Sequence, residues 1–536
     1  MKLHRAWPVA AGSAIALLLA ACGGGTTSAT PQSTPTANQT FTYETYSPVM
    51  DDGWDPATEY SNGIIAMSEM YQTLTHYNSA THQVQPQLAT SWTSSSDGKT
   101  WTFQLRHGVH FHTGRLMTAQ AAKASILRTM KLNGGAAYIW GAVKSIDTPS
   151  QYTLVFHLKY ASPLDLEASA DYSAYIYDTQ AAGSASSSSS LTKWLNTPHD
   201  AGTGPYTVQT WNHGQEFEVI LKSFPRYWGG WSGAHYKRVV FRVVPQDTTA
   251  VQLLKAGQVN FVEQMSPTLW KSLQGTQGVK LVSSPSWQNL LGQLNTQALN
   301  EKVRQAISWG IDYKGMIAAL SGAAIPSSGL VPAGLMGHFT DLPNYSYDPA
   351  KAKALLNQAG YGPGKKKLDL SLTYTQGDTN EQVVATLMKS DLAKLNINLS
   401  VQSLAWPTQW AKGKASSASQ HQDIFMEYWW PDYADPYSWF INLLYTEKQP
   451  YFNLSYYSDP SLDSMINKVE PLVATDKSAA DQLYRNMQVR ILGTAPILFL
   501  YNANYQYAMT TNFSGLTVDP AYPNVVYAYD LKPLGS

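Results

Sequence analysis

Between Val384 and Val401 the chain changes from a helical to a strand spacing of apolar residues. Apolar residues recur at helical spacing from Val384 to Leu392, and they alternate with polar ones from Leu395 to Val401. A helix that leads directly into a strand is typical of a β-α-β unit, whose helix connects parallel strands. Helix and strand patterns keep alternating as far as the apolar run 496–501, so we expect an α/β fold.

Length and charge limit the architecture and the class of partner. A chain of 536 residues exceeds the roughly 250–300 residues at which single cores stop growing, so two or three lobes are expected. Lys plus Arg equals Asp plus Glu at 37 each, and a formal charge of zero favours neither nucleic acid nor an acidic membrane as partner. Only 14% of residues are charged, while Trp and Tyr number 17 and 33, as is common in exported proteins.

Local patterns elsewhere predict individual elements. Trp101, Phe103 and Leu105 alternate with polar residues and indicate a half-buried strand. Thr118 is a suitable N-cap for an Ala-rich helix over residues 119–131. Asp348-Pro349 is expected to start another helix, because Pro is favoured in the first helical turn.

The N-terminus predicts export and a lipid anchor. Lys2 and Arg5 precede a short apolar run, Val9–Leu19, which is followed by Ala20-Ala21-Cys22. This pattern resembles a bacterial lipoprotein signal, in which small residues admit the peptidase and the cysteine thiol is lipidated. Cys22 is the only cysteine of the chain, so no disulfide competes for it.

The predicted signal peptide is therefore 1–22, and Cys22 would anchor the protein to a membrane. Residues 23–40, rich in Gly, Thr, Ser and Pro, indicate a flexible tether. The alternative is an ordinary signal peptide in which the cysteine is incidental.

The stretch Asp423–Leu443 is the candidate ligand loop because it places four acids among eight aromatic residues. Its first part, 424–430, suits a strand end, and Pro431 and Pro436 then stop regular pairing, so Asp432 should lie in a loop. A carboxylate surrounded by Trp and Tyr suits a ligand with a cationic group and an amphipathic body. The alternative is a Pro-rich loop whose Asp residues cap local turns and whose aromatic residues fill a core.

The sequence predicts neither catalysis nor a metal or other cofactor. His110 and His112 would face the same way on a strand, but no third ligand is near them in sequence. Asp432 and Asp435 share one Pro-flanked loop, unlike the separated carboxyl pair of a glycosidase. No nucleophile elbow, His-Glu-x-x-His or phosphate-binding Gly-Lys-Ser/Thr motif occurs.

A series of short motifs resembles one family over nearly the whole chain after the signal. That family is the bacterial extracytoplasmic solute-binding proteins of family 5, which includes the oligopeptide- and dipeptide-binding components of ABC importers. The motifs that carry the resemblance are Tyr71-Gln72-Thr73-Leu74, Gln87-Leu88-Ala89-Thr90-Ser91-Trp92, Asp97 to Phe103, Leu105 to His112, Gly202-Thr203-Gly204-Pro205-Tyr206, Tyr227-Trp228-Gly229-Gly230, Val303-Arg304-Gln305-Ala306, Tyr347 to Ala352 and Leu355-Leu356.

The resemblance implies a two-lobed fold like that of class II periplasmic binding proteins, with an extra subdomain on a discontinuous lobe. Residues 41–84, 201–295 and 496–536 would form that lobe, and 85–200 the subdomain. Residues 296–495 would form the other lobe and carry the ligand loop.

The resemblance also implies a function. The protein would be an extracytoplasmic, lipid-anchored, monomeric component of an ABC importer that captures peptides, oligopeptides in particular, between its lobes and delivers them to the permease subunits. It would be found in the periplasm or at the outer face of the cytoplasmic membrane. Hinge closure about the crossings near Asn295 and Pro496 would enclose the ligand; closure of periplasmic binding proteins is an established example of such motion.

The ligand-binding residues follow from a Trp-x-x-Asp segment of peptide-binding members, in which the Asp pairs with the peptide α-ammonium. Here Trp429-Trp430-Pro431-Asp432 matches it. The strand just before the Asp, which includes Tyr428, would pair with the peptide backbone, and Tyr433 is the remaining candidate.

The chain departs from the dipeptide-binding members at one place. Those members have an Arg that grips the free carboxylate, whereas this chain has Asp378-Thr379-Asn380-Glu381-Gln382 there. A longer peptide, or another solute with a cationic head, therefore fits better than a free dipeptide.

A carbohydrate ligand is the alternative. Some relatives carry oligosaccharides, and five tryptophans could stack on sugar rings, in an importer component, a carbohydrate-binding lipoprotein or a secreted glycosidase. These are Trp406, Trp410, Trp429, Trp430 and Trp439.

Overall fold

A computed structural model of the protein describes residues 39–48, 53–183, 187–212, 217–362 and 365–534. Cys22, the predicted signal peptide and nearly all of the predicted tether lie outside the described residues. Within these ranges, no helix combines the length and the apolar character that crossing a membrane requires.

The strands of the described residues are β1 Thr40–Thr45, β2 Thr75–Asn78, β3 Gln83–Pro86, β4 Ala89–Ser94, β5 Thr100–Leu105, β6 Val143–Ser150, β7 Thr153–Leu158, β8 Tyr206–Thr210, β9 Glu218–Ser223, β10 Arg238–Val243, β11 Phe261–Val262, β12 Val279–Leu294, β13 Ala324–Ile325, β14 Leu368–Thr375, β15 Ile397–Leu404, β16 Ile424–Trp429, β17 Ile497–Thr510, β18 Phe513–Ser514 and β19 Lys532–Pro533.

The α-helices are α1 Ile64–Met70, α2 Ala119–Leu132, α3 Leu164–Glu167, α4 Ser188–Leu195, α5 Asp247–Lys255, α6 Pro267–Ser272, α7 Glu301–Trp309, α8 Tyr313–Ala319, α9 Pro349–Gln358, α10 Thr379–Ala393, α11 Trp406–Gly413, α12 Tyr437–Leu443, α13 Pro460–Thr475 and α14 Lys477–Thr494. Short 3-10 helices cover Ala137–Trp140 and Ala418–Gln420.

Predicted helix starts are confirmed at α2 and α9. The Thr118 hydroxyl accepts a hydrogen bond from the Ala121 amide at 3.3 Å, and the Asp348 carboxylate accepts one from the Lys351 amide at 2.9 Å. These side chains satisfy amide groups that a first helical turn leaves without partners.

A large mixed sheet forms the centre of the fold. Its strand order is β15-β14-β16-β12-β17-β11-β1-β10-β9-β8, and β13 pairs with β17 beside this path. Strands β14 and β15 are parallel, with α10 connecting them, which confirms the β-α-β unit expected from the spacing between Val384 and Val401. Strands β10 and β11 are both parallel to β1.

Strands β12 and β17 are neighbours in the middle of this sheet. They pair antiparallel from Val279–Thr510 to Gln293–Ile497, but the register breaks between Pro285 and Asn289. At the break, the Ser286 hydroxyl donates to the Ala503 carbonyl at 2.7 Å and accepts the Gln288 amide at 3.1 Å. The regular backbone pairing of β12 with β17 is therefore interrupted in mid-strand, next to the cavity described below.

Buried apolar residues form separate cores on the sheet. One core joins α7, α9 and α10 to β14, β15 and the end of β12. The largest core connects α1 and α2 with residues of α12 to α14, such as Trp439 and Ile466. The lobe boundaries near residues 295 and 496 remain a prediction.

A separate antiparallel sheet has the order β4-β5-β7-β6 and lies in the predicted subdomain 85–200. Trp101, Phe103 and Leu105 of β5 are buried while their neighbours are more exposed, as their alternation predicted. The 3-10 helix Ala137–Trp140, which contributes Tyr138 to the site, lies between α2 and β6 of this sheet.

Candidate functional site

A cavity of about 650 Å³ lies where several parallel strands end. Its walls include the residues that follow β1, β10, β11, β14 and β16, together with the middle of β17. Open α/β sheets bind ligands outside the carboxyl ends of their strands, because the loops and helix N-termini there face a common crevice. The volume suits a small organic ligand or a short peptide.

Asp432 is part of this cavity wall. It follows β16, and its Oδ2 accepts hydrogen bonds from the Tyr138 hydroxyl at 2.7 Å and from Asn442 Nδ2 at 3.3 Å. Burial raises the pKa of Asp432 to about 6, and these two donors partly oppose the rise. A carboxylate in such surroundings gains most from a cation that enters the cavity.

Asp435, three residues further on, has the local role that was the alternative for this loop. Its Oδ1 accepts the Tyr437 amide at 2.8 Å, at the start of α12, and the Tyr484 hydroxyl at 2.6 Å. Asp435 is 2% exposed and is not among the residues of the cavity wall. Of the two acids that follow β16, Asp435 therefore fixes the local turn and Asp432 faces the cavity.

Three of the predicted aromatic residues also line the cavity. Tyr428 shares a 2.7 Å hydrogen bond with the Tyr501 hydroxyl, and Trp430 Nε1 donates to the Tyr172 hydroxyl at 3.2 Å. The buried Nε1 of Trp429 has no hydrogen-bond partner among the described residues. It is a donor that a ligand carbonyl could satisfy.

Tyr433 does not join this group. Its side chain is 3% exposed, lies in the large apolar core and is not part of the cavity wall. Asp432 and Tyr433 therefore face different surroundings although they are neighbours in the chain.

Strand β16 has one partly unpaired edge at the cavity. It pairs with β12 from Ile424 to Trp429, but its pairing with β14 covers only Ile424 and Phe425. Gln409 Nε2 donates to the Met426 carbonyl at 2.8 Å. Beyond that point, the strand borders the cavity through Glu427 and its successors.

The site also contains acids that the sequence analysis did not select. Glu263 follows β11, Asp378 and Glu381 are at the start of α10, and Glu427 is on β16, and all four line the cavity. Glu263 directly follows β11, but Glu381 is in the first turn of α10 and Glu427 is in the middle of β16. The four acids therefore share no sequence position that could have identified them as a group.

The tryptophans proposed for sugar stacking divide into two groups. Trp406, Trp410, Trp429 and Trp430 line the cavity. Trp439 is fully buried, and its Nε1 donates to Asn289 Oδ1 at 3.0 Å, so its role is in the core.

The two candidate metal-binding histidines are also apart from the cavity. His112 is bonded to the Asp200 carboxylate and the Gly204 carbonyl, and His110 to the Gly108 carbonyl. Over the described ranges, His, Cys, Asp and Glu side chains do not form a group of three or more that could hold a metal ion.

Comparison with known proteins places this architecture among binding proteins. Residues 83–451 match the profile described as "Bacterial extracellular solute-binding proteins, family 5 Middle". The chain is 28% identical over 483 residues to the "Probable D,D-dipeptide-binding periplasmic protein" of Escherichia coli, which covers 88% of this chain and 90% of that protein. It is 27% identical over 444 residues to the glutathione-binding protein of Pectobacterium atrosepticum, with coverage of 81% and 83%.

A solved structure supports the same fold. The oligopeptide-binding protein AppA from Bacillus subtilis, in complex with a nonapeptide, matches with a TM-score of 0.82 over 92% of this chain and 99% of that chain. Its sequence identity is 20%. The match confirms the α/β fold, two-lobed like a periplasmic binding protein, that the sequence predicted.

Proposed function

Because the chain belongs to the bacterial extracellular solute-binding proteins of family 5, we propose that it captures a peptide outside the cytoplasm and delivers it to the permease subunits of an ABC importer. It acts as a monomer and catalyses no reaction. The observation that carries this proposal is the position of Asp432, on a cavity wall at the ends of parallel strands. The relatives named above bind peptides or peptide-like solutes according to their names.

The peptide α-ammonium is the group that Asp432 binds. The carboxylate already accepts two neutral donors on Oδ2, but the described residues of the cavity wall include no Lys, Arg or His to balance its charge. A ligand ammonium supplies both the charge and further hydrogen-bond donors. This makes N-terminal recognition the function that the geometry supports best.

The peptide backbone lies along the free edge of β16. That edge has no strand partner after Phe425 among the described residues, and Trp429 Nε1 offers a donor beside it. Strand addition of this kind recognises backbone rather than side chains. We therefore assign Tyr428, Trp429 and Trp430 to the peptide site and leave Tyr433 out of it.

An Asp432→Asn variant tests the proposal, because it keeps the shape of the side chain and removes its charge. We expect it to weaken binding of a peptide with a free α-ammonium by about 2–5 kcal/mol, the range for loss of one partner of a buried charged pair. An N-acetylated peptide should bind the wild type and the variant equally weakly. Isothermal titration calorimetry on both proteins with both peptides forms a double-mutant cycle.

The matched control is Asp341→Asn, which removes an acid that pairs with Arg485 at the surface. It should leave peptide affinity unchanged. If acetylation costs wild type and Asp432→Asn the same affinity, the carboxylate does not contact the ammonium, and the assignment of Asp432 is wrong.

We further propose that the protein is exported and anchored through a lipid on Cys22, at the outer face of the cytoplasmic membrane or in the periplasm. The lipoprotein-like signal that ends at this single cysteine supports the anchor. One lipidated terminus would keep the binding protein near its permease while its body stays in water.

An oligosaccharide ligand is less well supported. Four tryptophans of the cavity wall could stack on sugar rings, but a neutral sugar would leave the carboxyl groups of the wall without a cation. The peptide proposal accounts for both the aromatic residues and the acids.

A further inference from the structure

The charged residues of the cavity wall are all acids. Glu263, Asp378, Glu381, Glu427 and Asp432 line the cavity, whereas no Lys, Arg or His is found among its described lining residues. One α-ammonium at Asp432 accounts for one carboxylate. Four carboxyl groups remain, and we call these four, without Asp432, the acidic wall.

The acidic wall is a region distinct from Asp432. Asp378 and Glu427 both raise the pKa of Glu381, after burial itself, and Asp378 also contributes to the raised pKa of Glu263. The pKa of Asp432 is instead set by burial, Tyr138 and Asn442. Each acid of the wall therefore lies near at least one other acid of the wall, while Asp432 has its own surroundings.

Among the described residues, the hydrogen-bond partners of the acidic wall are neutral groups. Glu263 accepts the Tyr43 hydroxyl at 2.9 Å and the Thr45 hydroxyl at 2.7 Å, and Glu381 accepts the Thr375 amide at 2.6 Å. The ion pairs of the described residues include none of the four acids. Buried carboxylates are costly without a cation, so the wall suits a positively charged group brought by a ligand.

A second observation points to a ligand donor at the same place. Asn380, between Asp378 and Glu381, is 9% exposed and lines the cavity, yet its Oδ1 has no hydrogen-bond partner among the described residues. A buried amide oxygen can only accept, and buried polar atoms are seldom left without a partner. An ammonium or guanidinium group of a ligand would supply the missing N–H.

We propose that the acidic wall is a second cation site, and that the ligand is a peptide with a basic side chain that binds there. The inference rests on the proposed function, because it adds a second charged contact to a peptide held by Asp432. It also predicts that a free C-terminal carboxylate is disfavoured near the wall, because its negative charge would oppose the ionisation of the acids that hold the cation.

The test compares lysine with norleucine, which has a similar length but no charge, at each position after the first in Ala-based tri- and tetrapeptides. Each peptide is made as the free acid and as the C-terminal amide. Calorimetry on the wild type should show at least tenfold tighter binding of lysine at one position, and tighter binding of amides than of acids. In Glu381→Gln, most of the lysine preference should disappear, while norleucine peptides bind within about twofold of their wild-type affinity.

Glu301→Gln is the matched control, because Glu301 is also in the first turn of a helix but is exposed. It should keep the full lysine preference. If Glu381→Gln folds poorly, Asp378→Asn is a second test. The Glu381 amide donates to the Asp378 carboxylate at 2.8 Å, and an Asn side chain at 378 can still accept this hydrogen bond. Equal affinity for lysine and norleucine at every position, or an unchanged preference in both variants, would overturn the second cation site.

Failure of the proposed function gives a different result. In that case neither the lysine peptides nor the norleucine peptides bind the wild type. Linear diaminoalkanes are then used as probes in place of the peptides. Diamine binding that is lost in Glu381→Gln would support the cation site without a peptide, and absence of diamine binding would overturn it.

Discussion

Glu427 shows what it costs to build a binding site from acids alone. Its side chain is 2% exposed on β16, and its main protein partner is the amide group of Gln293. Burial raises its pKa to about 8. Below that pH the folded protein without a ligand holds Glu427 protonated, although the same group in an unfolded chain ionises near pH 4–5. A ligand cation at the acidic wall would favour its ionised form.

This difference predicts how stability depends on pH. Between the two pKa values the folded state binds the proton and the unfolded state does not, so the contribution of Glu427 to stability is complete below the unfolded pKa and is lost as pH rises to about 8. Glu263, with a pKa raised to about 7, acts in the same direction. We expect the protein to be more stable near pH 5 than near pH 8.

Glu427→Gln isolates this effect, because glutamine stays neutral and can still accept from Gln293. Each tenfold difference in proton affinity is worth about 1.4 kcal/mol, so the variant should lose less stability than the wild type between pH 5 and 8 by an amount on the order of a few kcal/mol. Urea unfolding at both pH values measures it. The control Glu301→Gln should keep the pH dependence of the wild type. If the free energy of unfolding of Glu427→Gln changes with pH as much as that of the wild type, the raised pKa of Glu427 is wrong.

Single residues of the site were predictable from sequence to different degrees. Asp432 could be selected because prolines fix its loop and tryptophans surround it. The acidic wall could not, because Glu263, Glu381 and Glu427 are far apart in sequence and meet only through the order of strands in the sheet. Tyr433 was selected with Asp432, but neighbours in a loop need not face the same way.

Among the elements, the register break between β12 and β17 is the clearest structural irregularity beside the cavity. Ser286 is 4% exposed and spans it, with one hydrogen bond to the Ala503 carbonyl and one from the Gln288 amide. Removing its hydroxyl would leave both buried backbone groups without these partners. Such a loss costs about 1–3 kcal/mol.

Ser286→Ala should therefore lower the free energy of unfolding by about 1–3 kcal/mol, as measured by urea denaturation. Ser283→Ala is its control, because Ser283 lies on the same strand with an exposed side chain and should change stability by less than about 0.5 kcal/mol. Equal effects of the two substitutions would show that the hydroxyl does not hold the irregular segment.

Sequence patterns predicted capped helices better than they predicted this strand. Thr118 and Asp348 mark the starts of α2 and α9 because capping is a local interaction. Strand β12 runs from Val279 to Leu294. Its second half is buried on both faces and contains the polar residues Gln288 and Gln293, so it lacks the alternation by which half-buried strands are recognised.

On the scale of the whole molecule, the resemblance to a family predicted what residue patterns alone could not. Alternating helices and strands indicate an α/β fold, but they do not say that β1, β11 and β17 become neighbours in one sheet. Such pairings depend on long-range packing rather than on local preferences.

Cellular location is a further property of the whole molecule. Cys22→Ser removes the proposed acceptor of the lipid, so the protein should move from the membrane fraction to the soluble extracytoplasmic fraction. Fractionation followed by mass spectrometry of the mature N-terminus measures this change. Ser28→Ala, in the proposed tether, is the control and should stay with the membrane. A Cys22→Ser protein that still sediments with membranes, together with a wild-type mature protein whose mass includes no lipid, would show that the anchor is wrongly assigned.

The position of β17 in the central sheet has a consequence for how the chain folds. Residues 497–510 pair with β12 and β11, near the middle of the strand order, although the whole of 295–496 separates them from these strands in sequence. Strand β1 pairs with β10 nearly two hundred residues later. Chains dominated by such distant pairings fold slowly. The central sheet therefore cannot be completed before residues 497–510 have been synthesised.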